Sequence, residues 1–145
     1  MKTRSVLTIM LLTLCLTMSA CTSPEKALLV FGESVTQFQN NVILAQSQGM
    51  ISEDNTRKVL DICDKANLAG AQVKQILDAT GKLDPESKNR IIDIMAAVSN
   101  SLDPEKIDVI LNIKDPATKQ KISGSIVIVR SAISSVMVVV NSARS

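Results

Sequence analysis

Asp61 and Asp64 stand three residues apart, with Lys58 and Lys65 beside them. Two carboxylates at that spacing share a helix face, where they could hold a divalent cation weakly or divide acid and base work between them. The same residues also fit a solvated helix surface, because Asp61 and Lys65 have the i, i+4 spacing of a side-chain ion pair. A carboxylate hydrolase would need two acids converging from different helices into one cleft. Neighbouring acids on one helix do not supply that convergence, so no catalytic, cofactor-binding or metal residue is assigned and the chain is read as non-catalytic.

The rest of the chemical inventory narrows the choice further. The 145 residues include no His, Trp or Tyr. Without His there is no Ser-His-Asp or Cys-His nucleophile system, no imidazole base near neutral pH and no His-ligated zinc. Phe31 and Phe38 are the only aromatics, too few to form a stacking platform for bases or sugars. No P-loop, Gly-rich nucleotide turn, EF-hand loop or Cys-x-x-Cys pair occurs. Cys63 sits on an apolar stripe and reads as a small buried hydrophobe rather than a reactive thiol. It has Cys21 as a disulfide partner only if Cys21 is unmodified in an oxidising compartment.

Cys21 carries the clearest signal. Lys2 and Arg4 make a positive start, and Val6 to Leu16 make an apolar run too short to span a bilayer comfortably. The run then closes on Leu16-Thr17-Met18-Ser19-Ala20-Cys21. This ending resembles the lipobox of bacterial lipoproteins, with Ser19 and Ala20 as the small residues before the cysteine and Met18 where the family usually has Leu. The resemblance covers residues 1–21 alone. It implies cleavage before Cys21, acyl chains on that cysteine, and membrane attachment through them; simple secretion and an uncleaved anchor are the alternatives. Thr22 stands where an Asp resembles an inner-membrane retention signal, so the resemblance implies a periplasm-facing outer-membrane address in a bacterial cell envelope. The expected organisation is a signal peptide over 1–20, a lipidated cysteine and short tether over 21–23, and one domain over 24–145.

Removing Lys2 and Arg4 takes the basic count from 16 to 14, equal to the 14 acids, none of which lies in the signal. A neutral body argues against nucleic-acid binding, which shows as a basic patch or stripe.

The elements that position these residues are written in the punctuation. Each proline follows a capping residue: Ser23-Pro24, Asp84-Pro85, Asp103-Pro104 and Asp115-Pro116. Proline suits the first helical position, where its missing N–H is unneeded, and the preceding oxygen accepts a free amide of the first turn. Ser52 followed by Glu53 and Asp54 writes a fifth start. Gly49 and Gly81 stand where helix ends favour a left-handed residue. The predicted helices are Pro24 to Gln48, Glu53 to Thr80, Pro85 to Ser101, Pro104 to Lys114, and Pro116 to Ala143.

Apolar spacing of alternately three and four supports helices over strands. The stripes are Leu28, Phe31, Val35, Phe38, Val42 and Ala45; then Val59, Cys63, Ala66, Gly70, Val73 and Leu77; then Ile122, Ile126, Val129, Ile133, Val136 and Val140. The β-branched runs of the last segment allow two strands, and its length nearly allows a membrane span. Its helical spacing argues against the first and the central Arg130 against the second. Low-profile residues on the second helix (Ala66, Ala69, Gly70, Val73) and the last (Gly124, Ser131, Ser135) suit close internal packing, or a self-association face.

The expected fold is therefore all-α: an antiparallel helical bundle of four columns from five helical segments, the third column broken at Asp103. The alternative folds the two short segments into a tight hairpin. The function expected of such a body is a lipid-anchored structural or protein-interaction module, with an envelope protein or a second copy as partner. The alternative is a carrier of a lipid or other apolar ligand within the bundle.

Overall fold

Among the described residues, each of five helices begins where a side-chain oxygen of the preceding residue takes a free amide of the first turn. The computed structural model describes residues 23–80 and 82–143. Its helices are α1 (Pro24–Ser47), α2 (Glu53–Ala79), α3 (Pro85–Ser101), α4 (Pro104–Leu111) and α5 (Pro116–Ser142), with no strand among the described residues. Ser23 accepts from the Lys26 amide, Ser52 from Asn55, Asp84 from Ser87 and Asp115 from Thr118. Asp103 accepts from two amides, those of Glu105 and Lys106, at 3.0 and 3.1 Å. A cap of this kind stabilises a helix by about 1 kcal/mol.

The stops are less regular. Gly49 adopts φ 74° just beyond α1, the left-handed conformation that glycine takes without a steric penalty. Asn112 does the same work after α4 at φ 50°, so α4 ends at Leu111 and not at the expected Lys114. Asn tolerates this conformation because its short polar side chain can bond locally. The other expected stop, Gly81, lies outside the described residues, as do the signal segment, Cys21 and Thr22.

Helix α1 packs between α2 and α5, while α3 and α4 both pack against α2 and α5 on the far side of the core. The two short helices lie on their neighbours rather than on each other, so they do not form the tight hairpin. They form one column, broken where Pro104 lacks the N–H to continue α3 and its ring would clash with the preceding turn. Leu102 in the break is fully buried and fixes it to the core. Consecutive columns run antiparallel, and cross-links between them agree with this: Asn41 of α1 meets Ser125 of α5, and Lys119 of α5 meets Asp108 of α4.

The core is aliphatic with two phenylalanines. Phe31, Phe38, Ile91, Met95, Ile107 and Ile133 are among its largest fully buried side chains. Each burial of that size is worth roughly 1.5 to 3 kcal/mol. The α5 stripe is buried at all six expected positions, so tertiary burial overrides the strand preference of its β-branched residues. In α1 the stripe runs from Phe31 to Ala45, with Ala27 and Ser34 buried and Leu28 only half-buried. Ser34 is satisfied by donating to the Phe31 carbonyl at 2.7 Å.

Helix α5 is long and apolar enough to cross a membrane by length and composition. Here it is a bundle helix with eight buried residues, and Arg130 near its middle faces Asp103 at 3.6 Å. Where α5 ends, the Lys88 ammonium donates to the Ala143 carbonyl, tying the start of α3 to the end of α5.

Candidate functional site

The two acids singled out in the sequence do not work together. Asp61 pairs with Lys65 at 2.6 Å on the exposed face of α2, the i, i+4 pair its spacing implies. Asp64 points to the α1 side and accepts from Gln39 Nε2 at 3.2 Å. Lys58 is held by Asp54 at 2.6 Å. Exposed pairs of this kind contribute about 0 to 1 kcal/mol each. No group of three or more metal-capable side chains occurs among the described residues.

Cys63 is fully buried and unbonded to another cysteine. Burial, and after it the negative charge of Asp64, push its thiol up to about 12. A thiol so far from thiolate is a packing group.

The small residues of α2 serve internal packing on both flanks. Ala66 and Ala69 line the shallow seam with α3, beside Ile94 and Ala97. Gly70 faces α1 so closely that an added Cβ would lie 3.2 Å from the Phe31 ring. The patch on α5 is different: Gly124 is exposed, and a Cβ there would meet nothing within 4 Å. It belongs to an outward face that also shows Val127, Ile128 and Val138, between 52% and 67% exposed.

A concavity follows from the α1–α2 seam. At the edge of the buried stripe, α1 presents Leu28, Leu29 and Gly32, and α2 presents Gly70, Ala71 and the buried Leu77. Between them lies an open groove of about 800 Å³. That is within the usual 300–1,000 Å³ range of ligand pockets. Small residues on both walls keep it open, and Leu29 on its rim is 63% exposed. Toward the α1 N-terminus its border carries Glu25, Glu33, Lys74 and Asp78; toward the other end it is lined by Thr36, Gln37, Asn40 and Asn67. Core residues Phe31 and Leu77 are part of its lining, so the groove abuts the core from the flank of the bundle.

This groove is a feature that reading the sequence missed. The available signal was Leu29 and Gly32 at the three-residue spacing on a flank of α1 away from its buried stripe. The lipidation candidate, Cys21, lies outside the described residues; Ser23, two positions on, caps α1 directly, and the groove begins at Glu25.

Compared with known proteins, the chain matches no family, no curated protein and no solved structure.

Proposed function

We propose that this is a lipid-anchored bacterial envelope protein whose helical bundle is a non-catalytic protein-interaction module. The observation that carries the interaction reading is the open groove between α1 and α2, a lined concavity on the flank of the core. The anchor is Cys21, processed as its lipobox-like context implies, and the address is the periplasmic face of the outer membrane. Acyl burial stabilises such attachment by about 0.8 kcal/mol per methylene, and more than one chain makes it durable. With α1 capped at Ser23, the tether is three residues long and the groove opens close to the membrane end.

Mass spectrometry of the envelope fraction tests the anchor. The expected N-terminal peptide begins at Cys21 and carries acyl mass, and Cys21→Ala leaves the precursor unprocessed. An unmodified N-terminus elsewhere would remove the anchor from the proposal.

A second reading has one supporting observation. Leu28, Leu29, Phe31 and Leu77 give the groove an apolar stretch, which suits an apolar ligand on the flank of the bundle. Extraction of the purified protein with organic solvent, followed by lipid mass analysis, separates this carrier reading from the first.

A further inference from the structure

We infer that the α1–α2 groove is the seat of a basic amphipathic helix supplied by a partner protein. The inference rests on the interaction-module reading and names the chemistry of the partner.

Gly32 is the first argument. It sits in the interior of α1, where glycine lowers helix stability by roughly 0.5 to 1 kcal/mol relative to alanine. Neither a positive φ nor a neighbour requires it, since an added Cβ would meet nothing within 4 Å. The fold has no use for a glycine here. An occupant approaching closely along the groove does, with the small Ala71 on the opposite wall.

Hydrogen-bonding groups are the second. Gln39 and Asn41 of α1 are both engaged, with Asp64 and with Ser125. Gln37 and Asn40 on the same helix, and Asn67 across from them, make no side-chain hydrogen bond among the described residues and line the groove. These exposed amides bond water in the free protein, and a hydrocarbon occupant would displace that water without replacing its hydrogen bonds. A peptide can bond the amides.

Charge decides the sign. The border carries three carboxylates, Glu25, Glu33 and Asp78, against the single ammonium of Lys74. Lys74 is already held by Asp78 at 2.6 Å, while Glu25 and Glu33 enter no ion pair among the described residues. An excess of negative charge around an apolar floor complements lysines or arginines flanking an apolar stripe and repels anionic headgroups. The lining on α1 runs from Glu25 to Asn40, roughly 22 Å at 1.5 Å per residue, room for about four helical turns. An amphipathic helix laid apolar face down is the occupant that satisfies length, charge and amides together.

The described residues contain their own core, so the test uses the chain from Cys21 onward, prepared without lipid. The probe is a capped Leu/Lys amphipathic peptide of about 16 residues, four to five turns. Its controls are the Leu/Glu peptide with the same apolar face, and palmitate. Backbone amide NMR is expected to show Leu/Lys binding with shifts centred on Leu29, Gly32 and Ala71, and no Leu/Glu binding. Gly32→Leu, which fills the groove, and separately the double variant Glu25→Gln/Glu33→Gln, whose side chains are exposed, should each weaken Kd by about tenfold. If Gly32→Leu does not fold, the double variant decides alone. Absent binding, equal binding of both peptides, binding indifferent to the variants, or palmitate displacing the peptide would each overturn the inference. Because no lipid is attached in this experiment, its failure is distinct from failure of the anchor, which the envelope mass measurement reads. Crosslinking of the anchored protein to an envelope partner through another face, such as that of α5, would keep the module reading while this seat fell.

Discussion

Asp103 divides its carboxylate between two helices: Oδ1 caps α4 through the Glu105 and Lys106 amides, and Oδ2 faces Arg130 of α5 at 3.6 Å. The break in the third column is thereby fixed from two directions. The two contributions are unequal, because a cap satisfies otherwise free amides whereas Arg130 and Asp103 are both more than a third exposed. Asp103→Ala is expected to lower stability by about 1 kcal/mol and Arg130→Met by at most a few tenths. Urea midpoints measure both, and equal losses would show that the ion pair is the stronger element.

Acid should unfold the protein through its caps. Hydrogen bonds from Ser87 hold the Asp84 carboxyl below the usual carboxylate value, and those from Thr118 do the same for Asp115. Depressed folded pKa values mean that their stabilisation is complete above the unfolded value near 3.9 and is lost as pH falls through the lower folded values. With no His in the chain, side chains leave stability nearly flat between about pH 5 and 8. Asn caps helices about as well as Asp but does not titrate. The variant Asp84→Asn/Asp115→Asn should therefore keep its neutral stability and show a shallower acid limb in pH-dependent urea melts. An unchanged limb would place the acid sensitivity elsewhere.

The Cys63 thiol, pushed up to about 12, should be inert in the folded protein. At pH 8, alkylation followed at the Cys63 peptide by mass spectrometry is expected to be negligible in buffer and complete in denaturant. Its rate would track opening of the bundle. Rapid stoichiometric labelling of the native protein would contradict the packing of α2.

The glycines of the helix interiors should separate into two kinds. Gly32→Ala and Gly124→Ala meet open space and are each expected to add roughly 0.5 to 1 kcal/mol, read as a raised urea midpoint. Gly70→Ala should give less or lose stability, because the Phe31 ring must retreat from 3.2 Å. A gain of equal size at all three positions would mean that α1 and α2 are not closely apposed at Gly70.

These positions also mark what could be read in advance. Every helix start was legible, since Ser23, Ser52, Asp84, Asp103 and Asp115 act locally through amides two or three residues away. The end of α4 was not, because Asn112 becomes left-handed between the apolar Leu111 and Ile113, where the composition gives no sign of a stop before Lys114. The broken column was one of two arrangements that the segment lengths allowed; burial of Leu102, Ile107 and Leu111 against α2 and α5 selects it. The groove depends on how far two helices splay beyond their shared stripe, and spacing along either chain segment carries no measure of that. Gly70 shows the same limit: its spacing placed it on the stripe, yet it is only half-buried, under the edge of Phe31.

Four ion pairs lie along α2, each an i, i+4 partnership within that one helix: Glu53–Arg57, Asp54–Lys58, Asp61–Lys65 and Lys74–Asp78. Most of its surface charge is thus cancelled at short range, leaving little field beyond the Debye length of about 8 Å at physiological ionic strength. A diffusing molecule approaching that flank meets the carboxylates that no ion pair among the described residues cancels, Glu25 and Glu33 of α1 and Asp64 of α2. Orientation on this flank therefore falls to those three carboxylates, and the paired charges of α2 form an electrically quiet background between them.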